Sequence, residues 1–428
     1  MIVLSGASLV LPDRVLSPGT LVIEEGRIAE IRSDAPSGNH AAFAFHGHYI
    51  VPGFIDVHVH GVDGVDALDE VPGGAVAAIA ARLPGYGVTA FCPTTVACGP
   101  AALRGVLDQV RRARETPVLR SARVLPAHLE SNFISPDYTG AQPSGCLRSP
   151  RAAFGSGGSG RSSGSGGSGG SGGLGEPPEF EAADILAEIE RATPDVGIVT
   201  LASELEGGLD LVRWLSARGH HVSLGHSGAT YEEALAAISA GASQATHLFN
   251  RMPRLDHRAP GLVGAVLQSD EIAAEIICDG VHVHPALIRT AIAAKRPSRI
   301  LAITDATAAA GLPTGSRAML GGQPITAGAR TAQLSDGTIA GSILTMDRAF
   351  QTLVAHVGLS VVDAATICST SPARELGLLG HGMLMPDAVA DLVVLDAQFC
   401  VVQTYLGGQL VYTRGSGAHN PARPASQA

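Results

Sequence analysis

The segment PGFIDVHVHG, residues 52–61, carries the pattern that decides the fold. Its apolar run has almost none of the polar alternation of a solvent-facing strand, which is typical of a parallel strand buried on both faces. The run ends with His58 and His60, and alternate residues of a strand point to the same side. The imidazoles of His58 and His60 therefore project to the same side at one end of this strand.

Seven further apolar runs follow, and helical segments lie between most of them. These segments carry apolar residues at three- and four-residue spacing, the period of an amphipathic helix. Eight strands that alternate with helices predict a (β/α)8 barrel, an α/β fold whose catalytic groups project from the carboxyl ends of its strands. The predicted strands are residues 54–59, 88–93, 122–129, 196–202, 221–225, 244–248, 274–279 and 300–304.

Both ends of the chain carry β-type patterns and turn signals instead of helices. Neither residues 1–50 nor residues 386–415 could bury an apolar face alone, so we expect both to form one small β-sandwich. This sandwich would pack beside a catalytic barrel that spans residues 51–385. We expect the Gly/Ser-rich tract 155–175 to be a flexible insertion, natural or engineered, and residues 416–428 to be a flexible tail.

The composition excludes several classes of protein. The 428 residues are 45% hydrophobic and 16% charged, as in a compact globular protein, and 29 basic against 39 acidic residues give a net charge of −10. Without a Lys/Arg cluster or a long apolar run, we expect no nucleic-acid partner and no membrane association. The start lacks a signal-peptide pattern, so we expect a cytoplasmic protein. The six cysteines form no CxxC pair, which disfavours a disulfide framework or a thiolate zinc site.

Other predicted strands also end in groups that bind metals. Strand three ends at Glu130, strand five at His226, strand six at His247 and strand eight at Asp305. A single histidine at a strand end is more often structural than a ligand, but a full set at independently assigned strand ends indicates one shared site. Neutral imidazole and carboxylate are ligands for zinc, iron, manganese or cobalt. The sequence therefore predicts a divalent-metal site at the barrel mouth.

Longer motifs extend this pattern along the chain: PGFIDVHVHG, AHLE, LGHSGATYEEA, THLFNRM, HRAPGLVGA, ICDGVHVHP, ITDATAAAGLP and GTIAGSILTMDRA. With them the chain resembles the N-acetylglucosamine-6-phosphate deacetylases of the amidohydrolase superfamily, from about residue 1 to residue 413 apart from the Gly/Ser tract. HxH alone indicates the superfamily. GHSxAT, THLFN, HRxPGLVG and DGxHVHP in this order are specific to the deacetylases.

The resemblance implies metal-dependent hydrolysis of the acetamide of N-acetylglucosamine 6-phosphate to glucosamine 6-phosphate and acetate, a step of amino sugar catabolism. It assigns metal ligation to Glu130, His226 and His247, and the catalytic acid/base role to Asp305. Because the first histidine pair is also present, we favour a binuclear site bridged by Glu130. His58, His60 and Asp305 would then hold one ion, and His226 and His247 the other. Zinc is the first candidate, with iron, manganese or cobalt as alternatives and one or two ions per subunit.

The resemblance also implies substrate contacts and a partner. The position of Arg258 reaches the neighbouring subunit's site in this family, which implies a homodimer. Arginine suits a phosphate because its planar fork makes bidentate, permanently charged hydrogen bonds. We expect His128, His257 and His284 to be structural or outer-shell residues. The implied substrate-binding positions are Ala141, Gln142, Asn250, Arg251, Arg258, Asp279, His282, Ile339, Ala340 and Gly341.

Four departures from the family pattern leave the sugar open. Ser131 and Asn132 replace the usual Gly-Pro after the glutamate, and Ser203 replaces the usual proline of TLAPE. Gln142 replaces a histidine expected to contact the substrate carbonyl, and an amide can donate a hydrogen bond but cannot become a cation. Arg251 replaces a common alanine and adds a charge beside the expected phosphate position.

Other functions stay open at this point. An N-acetylgalactosamine 6-phosphate or another N-acylated anionic amine could be the substrate. A different amidohydrolase, such as a cyclic amidase or deaminase, is disfavoured because many of these bridge their metals with a modified lysine where this chain has Glu130. A non-catalytic scaffold with the same fold would be expected to have lost ligands, and none of the six is missing.

Overall fold

The computed structural model describes residues 1–33, 42–154 and 179–415. The Gly/Ser tract expected at 155–175 and the tail expected at 416–428 lie outside the described residues. The first strands are β1 (Ile2–Val10), β2 (Val15–Glu24), β3 (Arg27–Arg32), β4 (Ala42–Ala44) and β5 (Tyr49–Pro52). The next are β6 (Phe54–Val59), β7 (Gly61–Val62), β8 (Val65–Asp66), β9 (Val88–Thr95), β10 (Arg123–Val124) and β11 (Ala127–Glu130).

The remaining strands complete the barrel and return to the terminal sheet. The barrel continues with β12 (Val196–Leu201), β13 (His221–Leu224), β14 (Ala242–Ala245), β15 (Ala273–Ile277) and β16 (Ile300–Ile303). Three short strands follow it, namely β17 (Arg317–Leu320), β18 (Gln323–Ala327) and β19 (Ala332–Gln333). The last are β20 (Leu392–Leu395), β21 (Val401–Leu406) and β22 (Gln409–Thr413).

A nearly closed parallel barrel forms the centre of the protein, which confirms the predicted fold class. Its strands run in the order β6, β9, β11, β12, β13, β14, β15, β16, with β10 beside β9. The two ends of this order meet beyond β16, where Val59 pairs with Ala306 and the Asp305 N–H donates to the His58 carbonyl at 2.9 Å. Closure therefore joins the first and last strands at the carboxyl mouth, where the predicted ligands lie.

The third predicted strand differs from its prediction, because it is interrupted. Residues 122–129 were expected to be one strand, but the structure has β10 and then β11. Pro126 lies between them, and a proline has no backbone N–H to contribute to a sheet. Because β11 pairs with both β9 and β12, Glu130 still ends a central strand of the barrel.

Helices lie between most of the barrel strands, as the sequence predicts. In α6 the sequence specifies the start, because the Thr230 hydroxyl accepts from the Glu233 N–H and the Glu233 carboxylate accepts from the Thr230 N–H. The first helices are α1 (Ala75–Arg82), α2 (Pro100–Glu115), α3 (Pro150–Ala153), α4 (Ala182–Ala192), α5 (Gly208–Ser216) and α6 (Tyr231–Ser239). The others are α7 (Gly261–Gln268), α8 (Pro285–Lys295), α9 (Met346–Ala355), α10 (Val361–Ala365) and α11 (Ser371–Glu375).

Both termini share one sheet, in the order β22, β21, β20, β5, β1, β2, β3, with β4 on β1. Its centre joins the two ends of the chain, because β5 pairs antiparallel with β20 and Tyr49 lies opposite Leu395. This sheet encloses its own apolar core, which includes Leu9 and Leu392. The salt bridge from Arg123 Nε to Asp391 Oδ2, at 3.1 Å, ties the sheet to the barrel. None of the described helices has the length and apolarity needed to cross a membrane.

Candidate active site

The structure brings all six predicted metal-binding and catalytic side chains to one mouth of the barrel. His58 and His60 each direct Nε2 toward Asp305 Oδ1, at 3.4 and 3.3 Å. A second group surrounds Glu130 Oε1, with His226 Nε2 at 2.7 Å and His247 Nε2 at 2.9 Å. All six residues are buried, so the cluster is largely shielded from water.

Glu130 lies between the two groups. Its Oε2 is 3.3 Å from His60 Nε2, and its Oε1 is 3.9 Å from His58 Nε2 while also contacting the second group. This position suits a carboxylate that bridges two ions. It also follows from the fold, since Glu130 is the last residue of β11.

Three of the six residues adopt left-handed backbone conformations. His226, His247 and Asp305 have φ values of 48°, 31° and 49°. Each lies two residues beyond the end of its strand, at β13, β14 and β16. Such conformations are uncommon for residues other than glycine and cost on the order of 1–3 kcal/mol, so they persist where surrounding structure holds them and where function benefits.

The pKa values show a cluster in which carboxylates are stabilised by neighbouring imidazoles. Burial lowers the pKa of His58 to about 4. Burial also acts to lower the pKa of His60, but hydrogen bonds to Asp305 and Glu130 outweigh it and raise the value to about 10. For Glu130, burial acts to raise the pKa, yet its contacts with His226 and other imidazoles lower it well below the usual range. The carboxylates of Glu130 and Asp305 thus favour positive charge in the space between the imidazoles.

The donor set fits divalent metal ions. His226 and His247 face each other with Nε2 atoms 3.0 Å apart, and His58 and His60 do so at 3.3 Å. Facing ring nitrogens at these distances cannot both carry protons, whereas a shared cation satisfies their lone pairs. Three sets of three ligand atoms are close enough to hold an ion: His58, His60 and Asp305; Glu130, His226 and His247; and His58, His128 and Glu275, which shares His58 with the first. All consist of imidazole and carboxylate, with no cysteine, and the first two are the predicted ligand sets.

Hydrogen bonds from neighbouring residues fix the orientations of His226 and Glu130. His226 Nδ1 donates to the Tyr138 carbonyl at 2.7 Å, which leaves Nε2 free to bind an ion. Gln142 donates from Nε2 to Glu130 Oε2, and its own Oε1 accepts from the Ala97 N–H at 2.8 Å. The glutamine amide is therefore held with its NH2 group toward the cluster.

Other expected substrate positions surround the same mouth. Asn250 donates from Nδ2 to the His247 carbonyl at 3.2 Å. The expected segment Ile339–Gly341 passes over Asp305, because a Cβ added to Gly341 would lie 2.8 Å from the Asp305 carbonyl oxygen. Gly341 has φ of 53°, so a side chain there would be excluded by both space and backbone conformation. Ala340 is buried and Ile339 is exposed.

The remaining expected substrate positions are more dispersed. Asp279 accepts from His282 Nδ1 at 2.6 Å and from the His282 N–H, so these two residues form one rigid unit. Ala141 accepts from Gln323 at 2.8 Å. The side chains of Arg251 and Arg258 are exposed, and neither makes an ion pair with another described residue.

One of the departures from the family pattern, Ser131-Asn132, has a structural explanation. Asn132 donates from Nδ2 to the Cys98 carbonyl at 2.8 Å and to the Cys146 carbonyl at 2.7 Å, which joins two loops to the end of β11. Ser131 donates to the Thr200 carbonyl at 2.5 Å. Both polar residues therefore stabilise the segment that follows Glu130. The buried Ser203 hydroxyl has no hydrogen-bond partner among the described residues, and nothing in the structure explains it.

Three further histidines lie where structural roles were expected. His128 is buried inside the barrel, with Nδ1 donating to the Val57 carbonyl at 2.9 Å. The His284 side chain accepts from the Ala286 N–H at the start of α8. His257 is largely exposed.

The sequence analysis did not identify Glu275, a buried acid in β15 that contacts His58. Its one signal in the sequence is a charged residue inside the apolar run AAEII.

A closed parallel barrel whose carboxyl mouth carries four imidazoles and two carboxylates defines the amidohydrolase class of metal-dependent hydrolases. The amidohydrolase family model matches residues 210–411. The N-acetylglucosamine-6-phosphate deacetylase of Rattus norvegicus is 36% identical over 427 residues, which cover 96% of this chain and 94% of the rat protein. The N-acetylgalactosamine-6-phosphate deacetylase of Escherichia coli O157:H7 is 34% identical and covers 84% of this chain and 87% of its own length.

A solved structure agrees with these relatives. It is a mutant N-acetyl-D-glucosamine-6-phosphate deacetylase from Mycobacterium smegmatis in complex with N-acetyl-D-glucosamine-6-phosphate. It has a TM-score of 0.82 and 30% identity, and covers 96% of this chain and 99% of its own. The chain belongs to the N-acetylglucosamine-6-phosphate deacetylase family. This confirms the resemblance predicted from the motifs.

Proposed function

We propose that this protein hydrolyses the acetamide of an N-acetylhexosamine 6-phosphate, with N-acetylglucosamine 6-phosphate as the first candidate. The products are glucosamine 6-phosphate and acetate. The observation that carries the proposal is the convergence of four imidazoles and two carboxylates around Glu130 at the barrel mouth. The activities named for the relatives support the same reaction.

Two divalent ions, zinc first among the candidates and iron, manganese or cobalt after it, would be held by the two ligand sets. Glu130, His226 and His247 would hold one, and His58, His60 and Asp305 the other, with Glu130 reaching both. Bound there, a divalent ion lowers the pKa of water and polarises the amide carbonyl oxygen.

Asp305 is proposed to transfer the proton. Although burial acts to raise its pKa, the adjacent His58 and His60 lower it, so the carboxylate is ionised at neutral pH and can accept a proton from the attacking water. The same carboxyl group then delivers the proton to the departing amine, which leaves as a neutral group when the C–N bond breaks. Its side chain is 11% exposed, the largest value among the three ligands of its set, so it borders the entrance.

Gln142 is proposed to orient the substrate carbonyl. Its Oε1 is held by the Ala97 N–H, so Nε2 can only point toward Glu130 and the space beside it. A neutral amide donor can stabilise developing negative charge on the carbonyl oxygen, but it supplies less than a cation would. More of that stabilisation therefore depends on the ions.

The phosphate and the subunit arrangement belong to the same proposal. The exposed guanidinium groups of Arg251 and Arg258 suit a phosphate through bidentate hydrogen bonds. We propose that Arg258 serves the neighbouring site of a homodimer, and that the protein acts in the cytoplasm. The galactosamine 6-phosphate epimer stays the second candidate substrate, because one relative carries that name.

The test is acetate release from the N-acetylated 6-phosphates of glucosamine and galactosamine, with metal analysis of the same sample. We expect turnover of at least one, more than one bound ion per subunit, and little turnover of unphosphorylated N-acetylglucosamine. His247→Ala should abolish turnover, whereas His257→Ala, at an exposed histidine outside the cluster, should not. Metal-loaded protein that releases no acetate from either sugar would contradict the proposal and favour a non-catalytic role or another amide substrate.

A further inference from the structure

Glu275 is a fully buried acid that the reaction scheme above does not use. It lies in β15 between Ala274 and Ile276, inside the barrel. Among the described residues no lysine or arginine pairs with it, and its only ion-pair partners are His58 and His128. Burying an uncompensated carboxylate inside a barrel is energetically unfavourable, so this position needs a physical reason.

Its hydrogen bonds reach both proposed metal sets. Oε2 accepts from His58 Nδ1 at 3.0 Å, and the same oxygen lies 3.4 Å from the backbone N–H of His247. His58 belongs to the set with Asp305, whereas His247 belongs to the set with Glu130. A single oxygen therefore contacts one ligand of each ion position.

The contact with His58 fixes the chemistry of the imidazole. A carboxylate oxygen only accepts, so the proton of the neutral ring is held at Nδ1 and the lone pair at Nε2 faces Asp305 and His60. A carboxylate behind a metal-binding histidine orients the ring and makes it a stronger ligand. An ion held by His58 would also compensate the charge of Glu275, because it would polarise the ring between them.

The neighbouring His128 does not offer an alternative explanation. Its Nδ1 donates to the Val57 carbonyl at 2.9 Å, and its Nε2 bonds the Thr200 hydroxyl at 2.8 Å. Both ring nitrogens are thus engaged elsewhere, and Glu275 Oε1, 3.8 Å from His128 Nδ1, has no hydrogen-bond partner among the described residues. A purely structural carboxylate would be expected to use both oxygens.

We propose that Glu275 is a positioning residue that holds His58 for the ion bound by His58, His60 and Asp305. The inference rests on the proposed metal-dependent function. Loss of Glu275 would lower the affinity for that ion much more than the affinity for the ion bound by Glu130, His226 and His247. The protein would then change from a two-ion to a one-ion form.

The experiment is metal titration of Glu275→Gln and Glu275→Leu with Co2+ against a competing chelator, followed by the visible absorption spectrum of the bound Co2+. Glutamine keeps an acceptor oxygen and loses the charge, whereas leucine loses both. We expect about a 10-fold weaker affinity at one position for Glu275→Gln and about a 100-fold weaker affinity for Glu275→Leu, with the second position unchanged. The spectrum should lose the contribution of one ion.

The control is Glu188→Gln, which removes another buried carboxylate, on α4, that pairs with Arg104 and Arg191 and belongs to none of the candidate ligand sets. It should leave both Co2+ affinities unchanged. If Glu275→Leu does not fold, Glu275→Gln in a His58→Ala background replaces it. We expect Glu275→Gln to cause no further loss of Co2+ affinity once His58 has been replaced by alanine, because Glu275 acts through His58.

Two results would overturn the inference. One is a folded Glu275→Gln protein that binds both ions with the affinities of the unaltered protein. The other is an equal loss at both positions, which would indicate general disturbance of the barrel. Failure of the proposed function would look different, because the unaltered protein itself would then bind no ion or release no acetate.

Discussion

Replacing Asp305 by asparagine separates ion binding from proton transfer. Asp305 has φ of 49°, a left-handed conformation that asparagine adopts as readily as aspartate. The substitution therefore adds no backbone strain. The amide oxygen can take the place of Oδ1, which lies 3.4 Å from His58 Nε2 and 3.3 Å from His60 Nε2. We expect the ion to be retained, since its other ligands are unchanged.

The expected loss is confined to the chemical step. An amide cannot accept the proton of the attacking water or return it to the amine, so the general acid/base contribution disappears. That contribution is typically 100- to 10,000-fold in rate, or about 2.7 to 5.4 kcal/mol of barrier at about 1.36 kcal/mol for each tenfold change. We expect kcat to fall by this factor while KM changes little, because Asp305 is not among the expected phosphate contacts.

The assay is acetate release by Asp305→Asn, with elemental analysis of bound metal in the same sample. Asp210→Asn, at an exposed aspartate of α5 that pairs with Arg213, controls for the substitution itself and should have unaltered turnover. A kcat close to that of the unaltered protein, with both ions present, would refute the proton-transfer role. Loss of metal together with activity would show that Asp305 acts mainly as a ligand.

Three further predictions concern phosphate binding, local stability and metal removal. Arg258→Ala should raise KM for phosphorylated sugars much more than for unphosphorylated ones, and steady-state kinetics with an equal loss on both would argue against phosphate contact. Asn132→Ala removes two buried hydrogen bonds, so urea unfolding should show a free energy of unfolding lower by about 2 to 3 kcal/mol; an unchanged midpoint would contradict this. Chelation should lower the melting temperature in calorimetry, because ions at 100 times Kd contribute about 2.7 kcal/mol of stability; identical melting with and without metal would argue against a bound ion.

The barrel was predictable because its strands are buried on both faces. Their apolar runs stand out against the amphipathic helices, and the eight predicted segments correspond to the barrel strands. Interruption of the third by Pro126 was not recognised, although proline in a strand is a visible signal. The small sheet β17–β19, which follows β16, was not predicted because strands this short have weak periodicity.

The candidate site was predictable because its six side chains lie at or just beyond the ends of barrel strands. His58 and His60 follow from alternation along the end of β6 and the residue after it, and Glu130 from its position as the last residue of β11. Backbone strain at His226 and His247 leaves no mark in the sequence, because it results from tertiary contacts. Glu275 was missed for a related reason, since a contact across the barrel between β15 and β6 joins residues far apart along the chain.

The pairing of β5 with β20 has a consequence for biosynthesis. Tyr49 emerges from the ribosome more than 300 residues before its partner Leu395. At about 5 to 20 residues per second, the nascent N-terminal strands wait roughly 17 to 70 s with an open edge and apolar side chains such as Leu9 uncovered. Completion of this sheet therefore comes late in synthesis, and the open edge of its N-terminal strands is uncovered until β20 has been made.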